Sequence, residues 1–423
     1  MKTVCSARQR EKTFCFLCCL IYFMSYLTRM NYSASLAEIQ DALSLSKNLV
    51  SLPVTGSFFT YGTGQLLCGV LGDHWSPRKM IFTGLLCTCA CNVTVALFPT
   101  IGVILPVWCL NGLFQAMLWP PLVRIMAERL EQEAYERCCM LVTISASVGT
   151  VFIYLLVPVC IQAADWRAAF LLPGIMGTAS AFLWLTFCRE ESSHDIRKQR
   201  KIPRRDPVKM TSLLFRAALL PILAAIVLQG SLRDGITTWM PVYITETFGM
   251  PSSAAILLTA VLPAVSIPGI SLASWIFHRK KNELTISASF FAAGAAASLL
   301  LCGVFRSGPA VSAVLMTLTT GCMYGVNFLL ISQAPVRFAR FGKVSTVSGL
   351  LNAATYVGSA CSAWLFGYLA EKSGWGTVMA FWAAAASCGG MICFLFRKKW
   401  VKFWNHSERH FLLLQKIDSV RRE

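Results

Sequence analysis

Three charged residues lie deep inside long apolar stretches of this sequence: Arg29, Arg233 and Asp234. A charge carried into hydrocarbon costs about 2.5–3.5 kcal/mol on insertion scales, so such residues generally mark a functional site. A guanidinium presents a planar fork of donors, which suits a phosphate or a carboxylate better than the ammonium of lysine does. We therefore expect Arg29 and Arg233 to converge on a bound anion.

An alternative is that the buried charges satisfy one another. Asp234 would then neutralise one arginine, and the other arginine would donate to backbone carbonyls. Because adjacent positions on a helix do not face each other, a direct pair between Arg233 and Asp234 is expected to be poor. A pair between Arg29 and Asp234 stays open.

Other kinds of chemistry lack the residues that they need. The five histidines lie outside the central parts of the apolar stretches, and no Walker pattern for nucleotide phosphates occurs. The eighteen cysteines include clusters such as "CTCAC" (87–91) inside apolar segments, where cysteine acts as a small hydrophobe. No paired Cys/His spacing of a zinc site appears. We expect no enzyme, no metal site and no cofactor.

The composition indicates an all-α polytopic membrane protein. It is 56% hydrophobic and 14% charged, whereas a soluble domain carries about 25% charged residues. Apolar runs of about 20 residues recur, long enough to span a bilayer as helix. The net charge of +18 collects in alternate loops such as 197–205 and 278–281, which is the positive-inside pattern. It predicts a cell-membrane protein embedded in the lipid bilayer, with both termini cytoplasmic and no nucleic-acid partner.

Apolar runs between polar breaks predict twelve transmembrane helices. A charged, proline-containing stretch at 189–212 is predicted to be a cytoplasmic linker between a six-helix bundle at 1–188 and another at 213–396. The basic residues 397–423 are predicted to be a cytoplasmic tail, either an interfacial helix or a juxtamembrane anchor. We expect a monomer. The predicted spans are 14–37, 48–71, 80–99, 101–127, 139–163, 167–188, 213–246, 253–277, 284–305, 309–335, 345–370 and 374–396.

The two predicted bundles are weak copies of each other. Arg29 in the first span matches Arg233 in the seventh, and "SVGT" (147–150) in the fifth matches "YVGS" (356–359) in the eleventh. "PPLVR" (120–124) likewise matches "APVR" (334–337). Two pseudo-symmetric six-helix bundles joined by a cytoplasmic linker describe the major facilitator fold, which holds its substrate between the bundles near the midplane.

A candidate gate follows the second span, in "GVLGDHWSPRK" (69–79). It resembles the major facilitator signature, in which Gly69 and Gly72 would permit close helix approach and Asp73 would accept bonds from an arginine or a helix N-terminus. The alternative is a turn with charges that only set topology. In the second bundle His278 stands where the aspartate would be, so a second lock is not expected. The candidate basic partners of Asp73 are Arg78, Lys79 and Arg129.

Longer motifs resemble one family within this superfamily, the organophosphate:phosphate antiporters that include glycerol-3-phosphate and hexose-phosphate transporters. They include "YLTRMNYS" (26–33), "LNGLFQAMLWPPLVR" (110–124) and "LRDGITTWMPVYI" (232–244), and the resemblance covers most of the chain. It implies that Arg29 and Arg233 clamp a phosphate group. It also implies that tyrosines line the site, at Tyr22, Tyr26 and Tyr356.

Three departures from that family affect the substrate that the site would take. The glycerol-3-phosphate branch has a site lysine where this chain has Gln65, and a site histidine where this chain has Ala146. Asp234 adds a negative charge that the branch lacks. The lower positive charge leaves a carboxylate or a bulkier sugar phosphate open beside a small phosphate monoester.

Three functional hypotheses follow. The first is a secondary transporter that exchanges an organic anion, such as a phosphorylated metabolite, for phosphate by alternating access. The second is a proton-coupled symporter of a carboxylate or sugar-like solute, with Asp234 as the coupling residue. The third is a transporter-like sensor of a ligand, which the short linker and tail disfavour.

Overall fold

The computed structural model describes residues 2–45, 47–188, 210–250, 258, 261–304 and 306–420, and within them the regular structure is helical, without strands. A π-helical segment (Phe328–Gln333) and a 3₁₀ segment (Ala334–Phe341) follow α13. The α-helices are α1 (Lys2–Ala34), α2 (Leu36–Ala42), α3 (Lys47–His74), α4 (Pro77–Leu97), α5 (Ile101–Gln115), α6 (Trp119–Arg129), α7 (Gln132–Ala163), α8 (Ala168–Phe187), α9 (Met210–Arg216), α10 (Leu219–Phe248), α11 (Val261–Lys280), α12 (Glu283–Val304), α13 (Pro309–Asn327), α14 (Val344–Ser373) and α15 (Trp375–Val420).

The helices have the lengths that membrane spans require. In the described part of the chain, nine helical segments are long and apolar enough to cross a bilayer, with α5 and α6 counted as one span and α13 extended to Ala339. Three more helices, α3, α11 and α14, contain 28, 20 and 30 residues and are also long enough to cross a bilayer. About 20 helical residues cross the hydrocarbon core, so the prediction of an all-α protein with twelve transmembrane helices is confirmed.

Those three helices lie where the two bundles meet. The bundles contact each other through α3 with α14 and through α7 with α11. α3 and α11 are the second spans of their bundles, and α7 and α14 are the fifth spans. The internal repeat therefore relates the contact of α3 with α14 to the contact of α11 with α7.

Local sequence sets several helix ends. Ser76 accepts a bond from the Lys79 backbone N–H at 3.5 Å and Pro77 follows at the first helical position of α4, where proline loses no helical hydrogen bond. Gly249 ends α10 with φ +66°, a conformation that glycine adopts without steric cost. The fourth span is broken between α5 and α6, just before Pro120 and Pro121, since proline cannot continue the hydrogen-bond ladder.

Two predicted boundaries differ from the observed helices. α1 begins at Lys2 rather than at residue 14, and α15 continues without a break to Val420 rather than ending at 396. The predicted tail is therefore an extension of the last membrane helix as far as it is described. Residues 189–209 of the predicted linker and residues 421–423 of the tail lie outside the described residues.

Candidate functional site

Arg29 lies buried in α1, with aromatic rings around its charge. It is 9% exposed, and its guanidinium carbon lies 4.6 Å from the ring centre of Tyr26 and 4.9 Å from that of Tyr61. One terminal nitrogen donates to the Tyr356 hydroxyl at 3.4 Å. The Nε atom has no hydrogen-bond partner among the described residues. The guanidinium therefore keeps donor capacity for an anion, while ring faces stabilise the charge.

Aromatic side chains from both bundles surround Arg29. Tyr22 packs edge-on to Tyr26, with ring centres 5.4 Å apart, and lies 4.8 Å from the Trp119 ring of α6. Tyr61 of α3 packs edge-on to Tyr356 of α14 at 4.7 Å. The sequence prediction did not include Tyr61 and Trp119. Tyr61 stands in a polar stretch of α3 beside Gly62 and Gly64, and that interruption of an apolar helix is the signal that could have found it.

Arg233 and Asp234 form a bidentate ion pair, contrary to the prediction that they would pair poorly. Arg233 Nε donates to Asp234 Oδ1 at 2.6 Å, and Nη2 donates to Oδ2 at 2.8 Å. The helix-neighbour rule describes the directions of the first side-chain bonds, whereas the long stem of arginine lets its guanidinium fold back along the helix. The arginine and aspartate side chains are 14% and 32% exposed, so the pair borders accessible space.

α14 brings the two charged groups to one place. Tyr356 contacts Arg29, and Ser359, three positions later on the same helix face, donates to Asp234 Oδ2 at 2.5 Å. The Tyr324 ring of α13 lies 5.6 Å from the Arg233 guanidinium carbon. Arg29, Arg233 and Asp234 thus belong to one cluster between the bundles, with two formal positive charges and one negative charge.

Gln65 lies in the contact between the bundles. Its side chain is fully buried, and neither its Nε2 nor its Oε1 has a hydrogen-bond partner among the described residues. A Cβ atom at Gly349 of α14 would lie 2.2 Å from the Gln65 carbonyl oxygen. Gln65 therefore contributes no accessible surface to a binding cavity in this conformation.

Asp73 joins the end of α3 to the start of α14. Its carboxylate accepts from the backbone N–H groups of Ser345 and Thr346 at 2.9 Å each, and from the Thr346 hydroxyl. The first turn of a helix leaves such N–H groups without helical partners and favours a negative charge. A Cβ at Gly69 would lie 3.0 Å from the Ser345 carbonyl, and one at Gly72 would lie 2.1 Å from its hydroxyl. Both glycines therefore permit the close approach of α3 to α14.

Of the basic residues predicted as partners of Asp73, Arg78 and Arg129 connect helices of the first bundle. Arg78 donates to the Leu185 carbonyl, and Arg129 lies 3.5 Å from Cys188 Sγ. The backbone N–H of Lys79 donates to the Ser76 hydroxyl, which caps the start of α4. Arg124 is buried, with 5% of its surface exposed. It donates to the carbonyls of Gly72 and Trp75 at 2.6 and 3.0 Å, because α6 directs it toward the end of α3.

A second polar connection joins the bundles at the same end of the molecule, where no second lock was expected. Glu136 of α7 is fully buried, and its Oε2 lies 3.0 Å from Nδ1 of His278 in α11. The neighbouring Tyr135 donates to the Ser332 carbonyl at 2.5 Å. The missing aspartate of α11 had suggested otherwise, but here the carboxylate comes from α7.

No group of three or more His, Cys, Asp or Glu side chains that could hold a metal occurs in the described part of the chain. The cysteines within it are free thiols. The arrangement instead offers a buried cation, an ion pair and tyrosine hydroxyls. These groups suit noncovalent recognition of an anion.

Comparison with known proteins agrees with this architecture. The model of the Major Facilitator Superfamily matches residues 18–363. A probable hexose phosphate transport protein of Chlamydia muridarum is 23% identical over 92% of this chain and 90% of its own length. The glycerol-3-phosphate transporter of Bacillus subtilis is 24% identical over 83% of this chain and 84% of its own length.

A solved structure shows the same fold. The proton:xylose symporter XylE superimposes with a TM-score of 0.73 at 14% identity, covering 93% of this chain and 96% of the symporter. Identity at that level supports the fold alone, whereas the family model covers most of the chain. The chain therefore belongs to the Major Facilitator Superfamily, and it is a membrane transporter rather than an enzyme.

Proposed function

We propose that this transporter exchanges an organic anion, such as a phosphorylated metabolite, for phosphate. The observation that carries the proposal is the placement of Arg29 and Arg233 on the first helix of each bundle, linked through Tyr356 and Ser359 of α14. The relatives named for hexose phosphate and glycerol-3-phosphate transport support the same substrate class.

Arg29 is the main anion-binding group in the proposal. It is buried among rings, and among the described residues no ion pair engages it. Arg233 already holds Asp234 through two bonds. An anion therefore binds Arg29 first, and it recruits Arg233 to the extent that it displaces the Asp234 carboxylate. Tyr26 and Tyr356 supply hydroxyl groups for the remaining oxygens of the anion.

Alternating access would use the contacts made by Asp73 and His278. We infer that the end carrying these residues faces the cytoplasm, because the basic loops and both termini are predicted there. With α3 closed on α14 at that end, substrate would enter from the opposite side. Rocking of the bundles would break the bonds of Asp73 to Ser345 and Thr346 and open the cytoplasmic side.

Counterflow in proteoliposomes tests the proposal. Vesicles loaded with phosphate are assayed for uptake of labelled phosphate and of glycerol-3-phosphate or a hexose phosphate. Arg29→Ala and Arg233→Ala should each lower exchange by about 10- to 100-fold, since a hydrogen bond to a charged group contributes about 1.5–3 kcal/mol. Arg137→Ala serves as the matched control, because that arginine is 59% exposed and pairs with Glu133. Exchange at wild-type rates in both site variants would refute the arginine clamp.

The Arg233–Asp234 pair favours a second candidate, proton-coupled symport. Asp234 accepts three hydrogen bonds, from Arg233 and Ser359. Protonation would release Arg233 for an incoming anion and so link substrate binding to a proton. Uptake into vesicles with an imposed pH gradient separates the candidates. Symport predicts uptake that stops when the gradient collapses and in Asp234→Asn, whereas exchange predicts counterflow that persists without a gradient.

A further inference from the structure

A basic cavity lies on helices that do not contribute to the arginine site. Its volume is about 540 Å³, and it lies between the start of α12 and the distal part of α15. No side chain of the Arg29–Arg233 cluster lines it. Its lining residues are Asn282, Thr285, Arg397, Lys398, Val401, Lys402 and Asn405.

The lining chemistry suits a phosphate group. Arg397, Lys398 and Lys402 supply three positive charges, and no carboxylate belongs to the lining that the structure describes. The nearest acid in the sequence is Glu283, which is buried and does not line the cavity. Its two oxygens bind Arg337 at 2.5 Å and the indole N–H of Trp400 at 3.0 Å. The charge of the cavity is therefore not neutralised by Glu283.

The cavity continues an apolar surface along one face of α15. Met391, Phe394 and Leu395 are 58%, 53% and 65% exposed at the end of the apolar part of the helix. Positions 391, 395, 398 and 402 are separated by four, three and four residues, the spacing of one helix face. The Arg397 guanidinium carbon also lies 3.4 Å from the ring centre of Phe394. Exposed apolar side chains thus lead directly into the cationic group.

We propose that this cavity binds the headgroup phosphate of an anionic phospholipid, with the acyl chains against Met391, Phe394 and Leu395. Basic pockets between membrane helices at the bilayer surface are suited to anionic headgroups. A free phosphate ion would use the three cations but not the adjoining apolar face. The apolar stripe is therefore the feature that selects a lipid over a soluble anion.

Two buried tryptophans hold α15 in place behind the cavity. Trp400 is 1% exposed and Trp404 is 4% exposed. Both pack against Phe338, with ring centres 6.2 and 5.0 Å away. This packing fixes the helix face that presents Lys398 and Lys402. The site is therefore preformed, so lipid binding does not have to order additional side chains.

Thermal unfolding of the full chain in lipid vesicles tests the proposal. Wild-type protein is compared in phosphatidylcholine alone and with added phosphatidylglycerol, because a ligand that binds the folded state raises its stability. The test variant is Arg397→Gln/Lys398→Gln/Lys402→Gln. The matched control is Lys281→Gln/Lys372→Gln/Lys399→Gln, which removes the same charge from exposed lysines outside the lining.

Phosphatidylglycerol should raise the unfolding temperature of wild type and control equally, and the test variant should lose at least half of that increase. An unchanged increase in the test variant would overturn the proposal. A soluble arm uses inorganic phosphate and glycerophosphoglycerol, the headgroup without acyl chains. A rise with either compound that equals the rise with phosphatidylglycerol, and that the test variant loses, would overturn the assignment to lipid.

A second measurement uses the unmodified protein, so it does not depend on how the variants fold. A photoactivatable phosphatidylglycerol is cross-linked in vesicles, and the labelled peptides are identified by mass spectrometry. Labelling concentrated in residues 391–405 supports the proposal. Labelling spread evenly over the lipid-facing helices, with no excess in that segment, contradicts it.

Discussion

At the scale of single residues, the chain places a guanidinium in each bundle but leaves them in different states. Arg29 is held by aromatic rings and one weak hydroxyl bond, whereas Arg233 is bound by Asp234. The two arginines are thus not equivalent. An incoming anion would find one cation with spare donors and one whose donors must first be released.

The sequence predicted which charges matter but not how they pair. Arg29, Arg233 and Asp234 stand out because each is costly in an apolar helix. Their pairing depends on how far an arginine side chain folds back, which helical spacing does not determine. Ser359 and Tyr61 were missed for a related reason, since polar residues of ordinary type become site residues only when another helix brings them there.

Arg29→Lys should keep the charge of the site and lose the planar fork. We expect the apparent affinity for a phosphorylated substrate to fall about tenfold, since replacing a bidentate by a single bond costs about 1.4 kcal/mol. The measurement is the substrate concentration that half-saturates counterflow. Arg137→Lys, on the exposed surface of α7, is the control and should match wild type. Wild-type affinity in Arg29→Lys would show that charge alone binds the anion.

At the scale of helices, the twelve spans were predictable because apolar length is a strong signal. The ends of the helices were less predictable. The sequence placed the end of the last span at 396, where basic residues begin, yet α15 continues because Trp400 and Trp404 pack onto Phe338. Tertiary packing of this kind, rather than local composition, extends that helix past residue 396.

Gly349 controls the approach of α3 to α14. A Cβ there would lie 2.2 Å from the Gln65 carbonyl and 2.8 Å from the Gly69 Cα atom. Gly349→Val should therefore oppose closure of this contact by about 1–3 kcal/mol, or about five- to 150-fold in the closing equilibrium. Exchange should fall by at least about fivefold, measured as counterflow at saturating substrate.

Gly376→Val provides the comparison for that experiment. A Cβ at Gly376 meets no atom within 4 Å, so this variant should exchange within about twofold of wild type, as surface changes usually cost less than about 0.5 kcal/mol. Loss of exchange in both variants would point to a general effect of valine. Retention in Gly349→Val would show that the bundles need not approach so closely.

At the scale of the whole molecule, the bundles are joined at one end by two polar connections related by the internal repeat. Asp73 of α3 reaches the start of α14, and Glu136 of α7 reaches His278 of α11. In the proposed rocking motion, both connections bias the same opening equilibrium. Their free energies should therefore add, because they involve separate partners.

Hydrogen–deuterium exchange can measure this equilibrium without attaching probes to thiols, which would be unselective in a chain with eighteen cysteines. The amides of Ser345 and Thr346 donate to Asp73, so they should be protected whenever this end is closed. Asp73→Asn should reduce their protection by about two- to thirtyfold, since a carboxylate at a helix N-terminus contributes about 0.3–2 kcal/mol.

His278→Gln should reduce the protection of the same amides, although it leaves their acceptor, Asp73, unchanged. The double variant should multiply the two effects. Unchanged protection of Ser345 and Thr346 in His278→Gln would mean that the two connections open independently rather than with one rocking motion of the bundles.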